Sequence, residues 1–522
     1  MVKLGHKSLQ IAYVAILSFS ISLYFFRSNL KIQLGPIDDH DIVNFLGSDK
    51  QLWIWQIPSV LLEKTEVGQY GDNARFRPTY YIFRLLETSA FGVNATNWYF
   101  ARIFMVALTC FFLALGLLKL ITSRNSFVDL LLGASFVLAV CSLTTWQDII
   151  ARLGPSEIYL VLGFSIFFYL STLLALDIFS KKSWLLLCTI YLLTLGAKEN
   201  GIFLSLPFLI LGIHVFLTST KKSFIVLSFV VSSLFGLFIT AGWLLVMISA
   251  GGDVYGNSRT FETAQYQILQ SLVYLRHSKE FGFAVAAILI YFIVSGVLRK
   301  RLHRSFWYIL TLECTLHFLI ISEKIFYNNN LNNLRYAVIT QVSSILLLAV
   351  SIILILNTLL LINSSRYFLN AGLVIVFGLL LLRETIPAAQ QAKANFELVA
   401  ENARLGSEYF QGQLSGIRED LASIEYDAIV IQINNDWDFE PAYAVSQYLE
   451  FYGGELPRYL NIIPVSVAPG IETSLLSLLI DIANNGEPSW MIEPNSSLKQ
   501  ENNNYCITLN NAPIDTIVCD NQ

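Results

Sequence analysis

Long apolar segments recur along the chain, and short polar turns separate them. A helix needs roughly 20 mainly apolar residues to cross a bilayer, and most of these segments are about that long. By hydropathy, the pattern predicts about eleven membrane-spanning helices. They lie near residues 9–26, 100–120, 127–146, 157–178, 184–197, 201–218, 223–249, 281–298, 305–322, 335–361 and 367–384.

The composition agrees with a membrane protein. Of the 522 residues, 55% are hydrophobic and only 14% are charged, whereas about 25% of the residues of a soluble protein are charged. The first apolar segment is long and no small-residue cleavage site follows it, so we expect a retained span rather than a signal peptide. The sequence therefore predicts an α-helical polytopic membrane protein.

Basic residues in the connecting loops predict the orientation. Lysines and arginines follow alternate spans, as at 181–182, 221–222 and 299–301, and with eleven spans they all fall on one side. The positive-inside rule assigns that side to the cytoplasm. We expect a multi-pass plasma (inner) membrane protein with a cytoplasmic N-terminus and an exterior C-terminus. An endoplasmic-reticulum membrane with a lumenal C-terminus would have the same topology.

This topology predicts two domains. Residues 1–385 form the membrane domain, which includes a first exterior loop at 27–99, and residues 386–522 form a small exterior α/β domain. Within the first loop, Leu52 to Leu62 and Pro78 to Phe91 have the pattern of amphipathic helices that lie at a membrane surface. Interfacial anchoring also accounts for the aromatic residues of this loop, and nothing indicates nucleic-acid binding.

The exterior domain carries 19 of the 38 acidic residues and 5 of the 34 basic residues. A strand is predicted at 426–432 and a helix at 441–451. The segments 505–509 and 516–519 predict a β-hairpin that places Cys506 opposite Cys519. These two cysteines can form a disulfide if the compartment is oxidising.

Three acids, Asp38, Asp39 and Asp41, follow the first span within four positions. Carboxylates this close repel one another, and they are costly near a low-dielectric boundary. A function as a base, a bound cation or a cationic substrate group would compensate for that cost. An acidic turn in a solvated loop is the alternative interpretation.

Other exterior turns are also polar for so apolar a chain, and all of them are predicted on one membrane face. Their candidate residues are Arg77, Arg152, Glu157, Lys198, Glu199, Tyr255, Arg335 and Tyr336. Ionisable groups at span ends usually pair or line a cavity. A carboxylate deprotonates an attacking hydroxyl, a guanidinium or ammonium stabilises a departing phosphate, and Mg²⁺ or Mn²⁺ can bridge carboxylate and phosphate oxygens. The set favours transfer from a phosphate-linked donor.

Each candidate also has a purely structural interpretation. Lys198 and Glu199 can form an ion pair at a helix end, and Glu157 can complement a helix dipole. Arg335 can extend from a span end to the interface, and Arg77 can contact lipid headgroups.

Over about residues 1–385, the chain resembles the GT-C superfamily of integral-membrane glycosyltransferases. The residues that carry the resemblance are Asp38-Asp39, Arg75-Phe76-Arg77-Pro78, Arg152 to Glu157, Ala197 to Gly201 and Arg335-Tyr336. It is most similar to the protein O-mannosyltransferase and aminoarabinose-transferase-like branches, which pair a first-loop acidic dyad with a late arginine. The dyad here is Asp-Asp, whereas those branches often have Asp-Glu, and the Trp-Trp-Asp signature of oligosaccharyltransferases is missing.

The resemblance implies sugar transfer, with inversion, from a polyprenyl-phosphate-linked donor to a hydroxyl of a lipid, glycan or protein acceptor. Asp38 or Asp39 would be the base, and the other would orient the acceptor or hold a divalent cation, with Asp39 the candidate ligand. Arg335, with Lys198 or Arg77, would bind the donor phosphate. The substrate pocket would be lined by Glu157, Arg152, Glu199, Tyr255 and Tyr336.

Two other functions remain open from the sequence. A transporter or flippase for a lipid-linked or anionic solute would place polar residues near the membrane midplane in paired halves. Here the polar residues cluster at one face, and no internal repeat is visible. A non-catalytic membrane scaffold would tolerate loss of Asp38 and Asp39.

Overall fold

The structure, a computed structural model, describes most of the membrane domain and parts of the C-terminal tail. The described residues are 6–47, 49–68, 76–120, 126–176, 180–218, 222–249, 279–297, 334–362, 367–423, 428–433, 439–452, 459–464, 504–509 and 514–516, with single residues at 269, 273, 310, 312 and 316.

Helices dominate the described residues. They are α1 (His6–Phe26), α2 (His40–Leu46), α3 (Ile57–Glu63), α4 (Pro78–Phe91), α5 (Ala95–Leu120), α6 (Ser126–Cys141), α7 (Trp146–Ile150), α8 (Glu157–Ala175), α9 (Lys181–Leu195), α10 (Ser205–Thr218), α11 (Lys222–Ser249), α12 (Lys279–Val297), α13 (Val338–Ile362), α14 (Tyr367–Ser423) and α15 (Phe439–Tyr452). Short 3₁₀ turns lie at Arg27–Lys31, Ile54–Gln56, Glu199–Leu204 and Leu334–Ala337.

Within the described part of the chain, six helical segments are long and apolar enough to cross a membrane. They are Leu9–Lys31, Ala95–Leu120, Glu157–Ala175, Glu199–Leu217, Lys222–Gly242 and Val338–Ile355. Two shorter apolar segments, Leu130–Cys141 and Gly282–Val297, coincide with the third and eighth predicted spans. The chain is therefore a multi-pass helical membrane protein. The count of eleven spans stays a prediction, because residues 305–322 lie almost wholly outside the described residues.

Helices α5 and α8 pack closely against each other in the core of the bundle. Gly116 on α5 permits this approach, because a Cβ at that position would lie 2.4 Å from the ring of Phe168 on α8. Ile103 and Val106 of α5 and Val161 of α8 are fully buried. The pair forms a rigid support for the polar turn that precedes α8.

Helix α4 confirms the amphipathic segment predicted at 78–91. Pro78 occupies the first turn, where its missing N–H removes no helical hydrogen bond. Its buried face includes Tyr80, Arg84 and Thr88, which follow one another at intervals of four residues. This face is unusually polar, and Tyr80 and Arg84 donate hydrogen bonds to the turn at 153–154.

Helix α14 runs without interruption for 57 residues, with Pro387 inside it. Its Phe396 ring lies 5.9 Å from the ring of Phe25 and 4.9 Å from that of Phe26, at the end of α1. The predicted domain boundary near residue 385 falls inside this helix. The division into domains at that point stays a prediction.

The described part of the tail contains one four-stranded sheet, of order β2-β1-β3-β4. Its strands are β1 (Ala428–Ile433), β2 (Tyr459–Pro464), β3 (Asn504–Leu509) and β4 (Ile514–Thr516). Strand β1 is parallel to β2 and β3, and β4 is antiparallel to β3. The predicted strand at 426–432 and the predicted helix at 441–451 are confirmed as β1 and α15.

The predicted hairpin is present as the antiparallel pair β3 and β4, and its register bears on the disulfide. Ile507, which follows Cys506, pairs with Thr516. Thr516 lies three residues before Cys519. Cys519 lies outside the described residues, and the side chain of Cys506 is not among those described. The disulfide therefore stays a prediction.

Candidate active site

The first turn of α4 contacts two of the polar turns that the sequence singles out. The backbone N–H of Thr79 donates to the carbonyl of Gly196 at 3.0 Å. The hydroxyl of Tyr80 donates to the carbonyl of Gly154 at 2.7 Å. The turn before α8 and the turn after α9 therefore meet at the beginning of α4.

Arg84, one turn further along α4, connects the loop at 27–99 to the turn before α8. Its Nη2 donates to the carbonyl of Asp38 at 3.0 Å, and its Nη1 donates to the carbonyl of Leu153 at 2.8 Å. The guanidinium is fully buried and lies 4.6 Å from the ring centre of Trp98. A planar fork of donors is suited to holding two carbonyls in fixed positions.

Side chains from several elements also hold the backbone carbonyls of the turn at 150–154. Arg102 on α5 donates to the carbonyl of Leu153 at 3.0 Å and pairs with Glu87 at 3.2 Å. Further bonds join Asn29 Nδ2 to the Ile150 carbonyl (3.0 Å) and the Tyr99 hydroxyl to the Ala151 carbonyl (3.3 Å). Because its acceptors are bonded from several sides, this turn has a defined conformation.

Asp39 is a buried carboxylate that ties two loops together. Its Oδ2 accepts the N–H of Gly35 at 2.9 Å, and its Oδ1 accepts the N–H of Leu153 at 3.2 Å. It is only 2% exposed. Burial, aided by the negative charge of Asp38, raises the pKa of Asp39 to about 6, although the two backbone bonds and Arg84 act in the opposite direction.

Asp38 has a more accessible side chain and a less common backbone. Its φ of 63° lies in the left-handed region, which costs a non-glycine residue on the order of 1 kcal/mol. The side chain is 30% exposed, and its Oδ2 lies 3.7 Å from Nη1 of Arg152. Arg152 also pairs with Asp148 at 2.6 Å. Gly154 packs directly on Asp38, because a Cβ there would lie 2.2 Å from the Asp38 Cβ and Cγ.

A residue of the tail also contacts Asp38. The N–H of Asp38 donates to Oε1 of Glu440 on α15 at 2.9 Å. Burial and the negative charge of Asp38 raise the pKa of Glu440. The first exterior loop and the tail thus meet at the acidic dyad.

Glu157, at the start of α8, forms a buried ion pair with Lys198. Both side chains are 5% exposed. The guanidinium of Arg335 also interacts electrostatically with the Glu157 carboxylate. The structure thus brings together three of the predicted residues, two cations around one carboxylate.

Arg77 pairs with a different carboxylate from Lys198 and Arg335. Its Nη2 contacts both carboxylate oxygens of Glu66 at 2.9 Å, and its guanidinium lies 5.0 Å from the ring centre of Tyr80. Glu199 interacts electrostatically with Arg77. Arg77 therefore lies near the other candidates, but its charge is largely balanced by Glu66.

Two candidates cannot be placed, and the metal site gains no support. Tyr255 lies outside the described residues, and Tyr336 belongs to the 3₁₀ turn at Leu334–Ala337, where its side chain is not described. Among the described residues, no group of three His, Cys, Asp or Glu side chains could hold a metal ion. Both oxygens of Asp39 already accept backbone N–H groups. A divalent cation there stays a prediction of the sequence.

Sequence reasoning missed Arg84 and Glu440. The signal for Arg84 is its spacing from Tyr80 and Thr88, which places a charged residue on the buried face of α4. Glu440 lies 402 positions from Asp38 in an acidic tail, so no local pattern distinguishes it from neighbouring acids.

Comparisons with known proteins give a structural likeness. No family model matches the chain, and no curated protein matches it. The chain is similar to the crystal structure of ArnT from Cupriavidus metallidurans bound to undecaprenyl phosphate. The identity is 12% and the TM-score 0.47, over 97% of this chain and 93% of that chain.

Proposed function

We propose that this protein is a membrane glycosyltransferase that moves a sugar from a polyprenyl-phosphate-linked donor to an acceptor hydroxyl at the exterior face. One observation carries the proposal. Asp38, a partly exposed carboxylate with a fixed backbone, lies against the same short turn that leads into the buried group of Glu157, Lys198 and Arg335. The proposed base and the proposed phosphate-binding group therefore both lie at the same short turn.

The geometry favours Asp38 over Asp39 as the base. A general base must come within hydrogen-bond reach of the hydroxyl that it deprotonates. Asp38 is 30% exposed, whereas Asp39 is 2% exposed and accepts a backbone N–H at each oxygen. Asp39 therefore positions the loop, and Asp38 takes the proton.

Lys198 and Arg335 are the groups that we propose for the donor phosphate. They lie with Glu157 in one buried group, and ammonium and guanidinium groups form strong charge-assisted hydrogen bonds to phosphate oxygens. Arg77 stays a third candidate for this role, and its Nη2 contacts both carboxylate oxygens of Glu66. Arg152 lies beside the proposed base, with its Nη1 3.7 Å from Oδ2 of Asp38.

The proposed reaction is a single displacement. Asp38 accepts the proton of the acceptor hydroxyl while that oxygen forms a bond to the anomeric carbon. The bond from the anomeric carbon to the phosphate oxygen breaks, and polyprenyl phosphate leaves with the bonding electrons, stabilised by the cations. The configuration at the anomeric carbon inverts.

The test compares sugar transfer in membranes that contain wild type, Asp38→Asn or Asp49→Asn at equal protein level, with a radiolabelled polyprenyl-phosphate sugar pool. Asp49 is the control, because it is an exposed acid of the same loop. We expect donor consumption by wild type and Asp49→Asn, and a loss of at least 100-fold in Asp38→Asn. Product NMR should show inversion.

Three outcomes would overturn the proposal. Full activity of Asp38→Asn would show that Asp38 is not the base. A retained anomeric configuration would rule out single displacement. If wild type consumes no donor with any common sugar but moves a lipid-linked solute across vesicle membranes, the protein is a transporter.

A further inference from the structure

Glu440 stands out among the groups that the proposed reaction does not use. It is a tail residue, yet its carboxylate accepts the backbone N–H of Asp38 at 2.9 Å. The two residues are 402 positions apart. The contact therefore depends on the tail docking correctly onto the membrane domain.

The backbone of Asp38 needs external support. Its φ of 63° is a conformation that a residue with a side chain rarely adopts unless its surroundings impose it. Arg84 holds the carbonyl of Asp38 at 3.0 Å, Glu440 holds its N–H, and Gly154 packs on its side chain. Of these three, only Glu440 comes from outside the membrane domain.

Helix α15, which carries Glu440, packs against the loop at 27–99. The hydroxyl of Tyr448 donates to the carbonyl of Gly35 at 3.1 Å, and the ring of Tyr443 meets the ring of His40 edge-on at 5.4 Å. Tyr448 and Ala442 are fully buried. Several independent contacts thus fix the position of Glu440.

Helix α14 connects the same two elements a second time. Gln411 on α14 donates to the carbonyl of Leu34 at 2.8 Å and accepts from the hydroxyl of Tyr452 at 3.1 Å. The ring of Phe410 packs against that of Tyr448 at 5.3 Å. The loop before Asp38, the long helix and α15 therefore form one connected unit.

We propose that the C-terminal tail completes the active site, with Glu440 as the residue that positions Asp38 by accepting its backbone N–H. This inference rests on the proposed function, because it assigns Asp38 as the base. Glu440 does not touch the substrate. It fixes the backbone from which the Asp38 carboxylate projects, so its loss misplaces the base and leaves the phosphate-binding cations where they are.

The test uses the full-length protein and three variants: Glu440→Ala, Glu440→Gln and Glu450→Gln. Alanine removes the acceptor, whereas glutamine keeps an oxygen that can accept the same N–H and removes only the charge. Glu450 is an exposed acid on the same helix and serves as the control. The readouts are kcat and the donor KM for sugar transfer, and hydrogen exchange of the peptide that contains Asp38.

We expect Glu440→Ala to lower kcat by about 10-fold to 100-fold with an unchanged donor KM, as a misplaced catalytic group does. Hydrogen exchange at Asp38 should become faster in the same variant. Glu440→Gln should retain most of the activity and the slow exchange, and Glu450→Gln should match wild type on all readouts.

Several outcomes would overturn the inference. One is wild-type kcat and exchange in Glu440→Ala. Another is an equal loss in Glu440→Ala and Glu440→Gln, which would assign the effect to charge or folding rather than to the N–H bond. A wild type that transfers no sugar overturns the proposed function instead, and the exchange measurement then still decides whether Glu440 holds the Asp38 backbone.

Discussion

The N–H of Leu153 donates a hydrogen bond of 3.2 Å to Oδ1 of Asp39, across 114 positions of the chain. The carbonyl of the same Leu153 accepts from Arg84 and Arg102. The N–H and the carbonyl of Leu153 are thus both hydrogen-bonded to buried charged side chains. The hydrogen bonds from Gly35 and Leu153 partly offset the cost of burying the Asp39 carboxylate, and they tie its loop to the turn at Leu153.

Asp39→Asn should destabilise the protein, because an amide has one acceptor oxygen for the two N–H groups that Asp39 now binds. Either Gly35 or Leu153 then faces an NH₂ donor, and an unsatisfied buried N–H costs about 1–3 kcal/mol. Thermal unfolding in detergent at pH 5, where protonation relieves wild-type Asp39 of most of the cost of its buried charge, should show a lower Tm for Asp39→Asn than for wild type. Asp49→Asn should unfold like wild type.

The same variant also tests the assignment of the base. We expect the folded fraction of Asp39→Asn to retain measurable sugar transfer, whereas Asp38→Asn should keep its Tm and lose activity. A stable but inactive Asp39→Asn would reverse the roles of the two acids.

Stability should rise on mild acidification, through Asp39. Burial raises the pKa of Asp39 from 3.8 to about 6, so the folded state binds a proton more tightly than the unfolded state. This contribution is complete below about pH 4 and is lost as the pH rises through about 6, and it amounts to roughly 3 kcal/mol. Asp41 and Glu440 have pKa values raised by burial as well, so they act in the same direction.

The measurement is Tm between pH 7.5 and pH 5 for wild type and for Asp39→Asn. Wild type should gain stability toward pH 5, and the variant should show a shallower gain. A Tm that falls over this range in wild type would contradict the assignment.

The elements of the site could be predicted from sequence, because each depends on local chemistry. Helix α4 begins at Pro78 and ends at Phe91 as its pattern indicates, and the following Gly92 has a φ of 51°, which suits a helix end. The polar turns were also visible, since charged residues stand out in so apolar a chain.

The pairings within the site could not be predicted, because they depend on distant parts of the chain. Nothing local distinguishes Asp38 from Asp39, and only the packing of the turn at Leu153 makes one accessible and the other buried. In the same way, Arg77 and Lys198 look alike as candidate phosphate ligands. Their difference is the partner that each finds, Glu66 for one and Glu157 for the other.

Removing Glu157 from its buried group should cost more than removing Lys198, and the two losses should not add. Glu157→Gln leaves Lys198 and Arg335 as two cations without their shared carboxylate, so a loss of about 3–5 kcal/mol is expected. Lys198→Met leaves Glu157 with Arg335 and should cost less. The double variant should be more stable than the sum of the two single losses indicates.

Unfolding measurements on the two single variants and the double variant give the coupling energy. The partly exposed pair Lys393 and Glu397 on α14, four positions apart, is the control, for which the same cycle should give only about 0.3–0.5 kcal/mol. Additive losses at Glu157 and Lys198 would show that the two side chains do not act as a pair.

Gly154→Ala should impair transfer with little effect on donor binding. A Cβ at this position would lie 2.2 Å from the Asp38 Cβ and Cγ, so the backbone of Asp38 or of the turn must shift, because a Cβ cannot move without its backbone. A displacement of about 1 Å can cost on the order of 100-fold in kcat. Gly416→Ala is the matched control, because that glycine lies in α14 with open space around it, where alanine should stabilise the helix. Wild-type kcat in Gly154→Ala would mean that the position of Asp38 relative to this turn does not matter for the reaction, and the base would then have to be sought elsewhere.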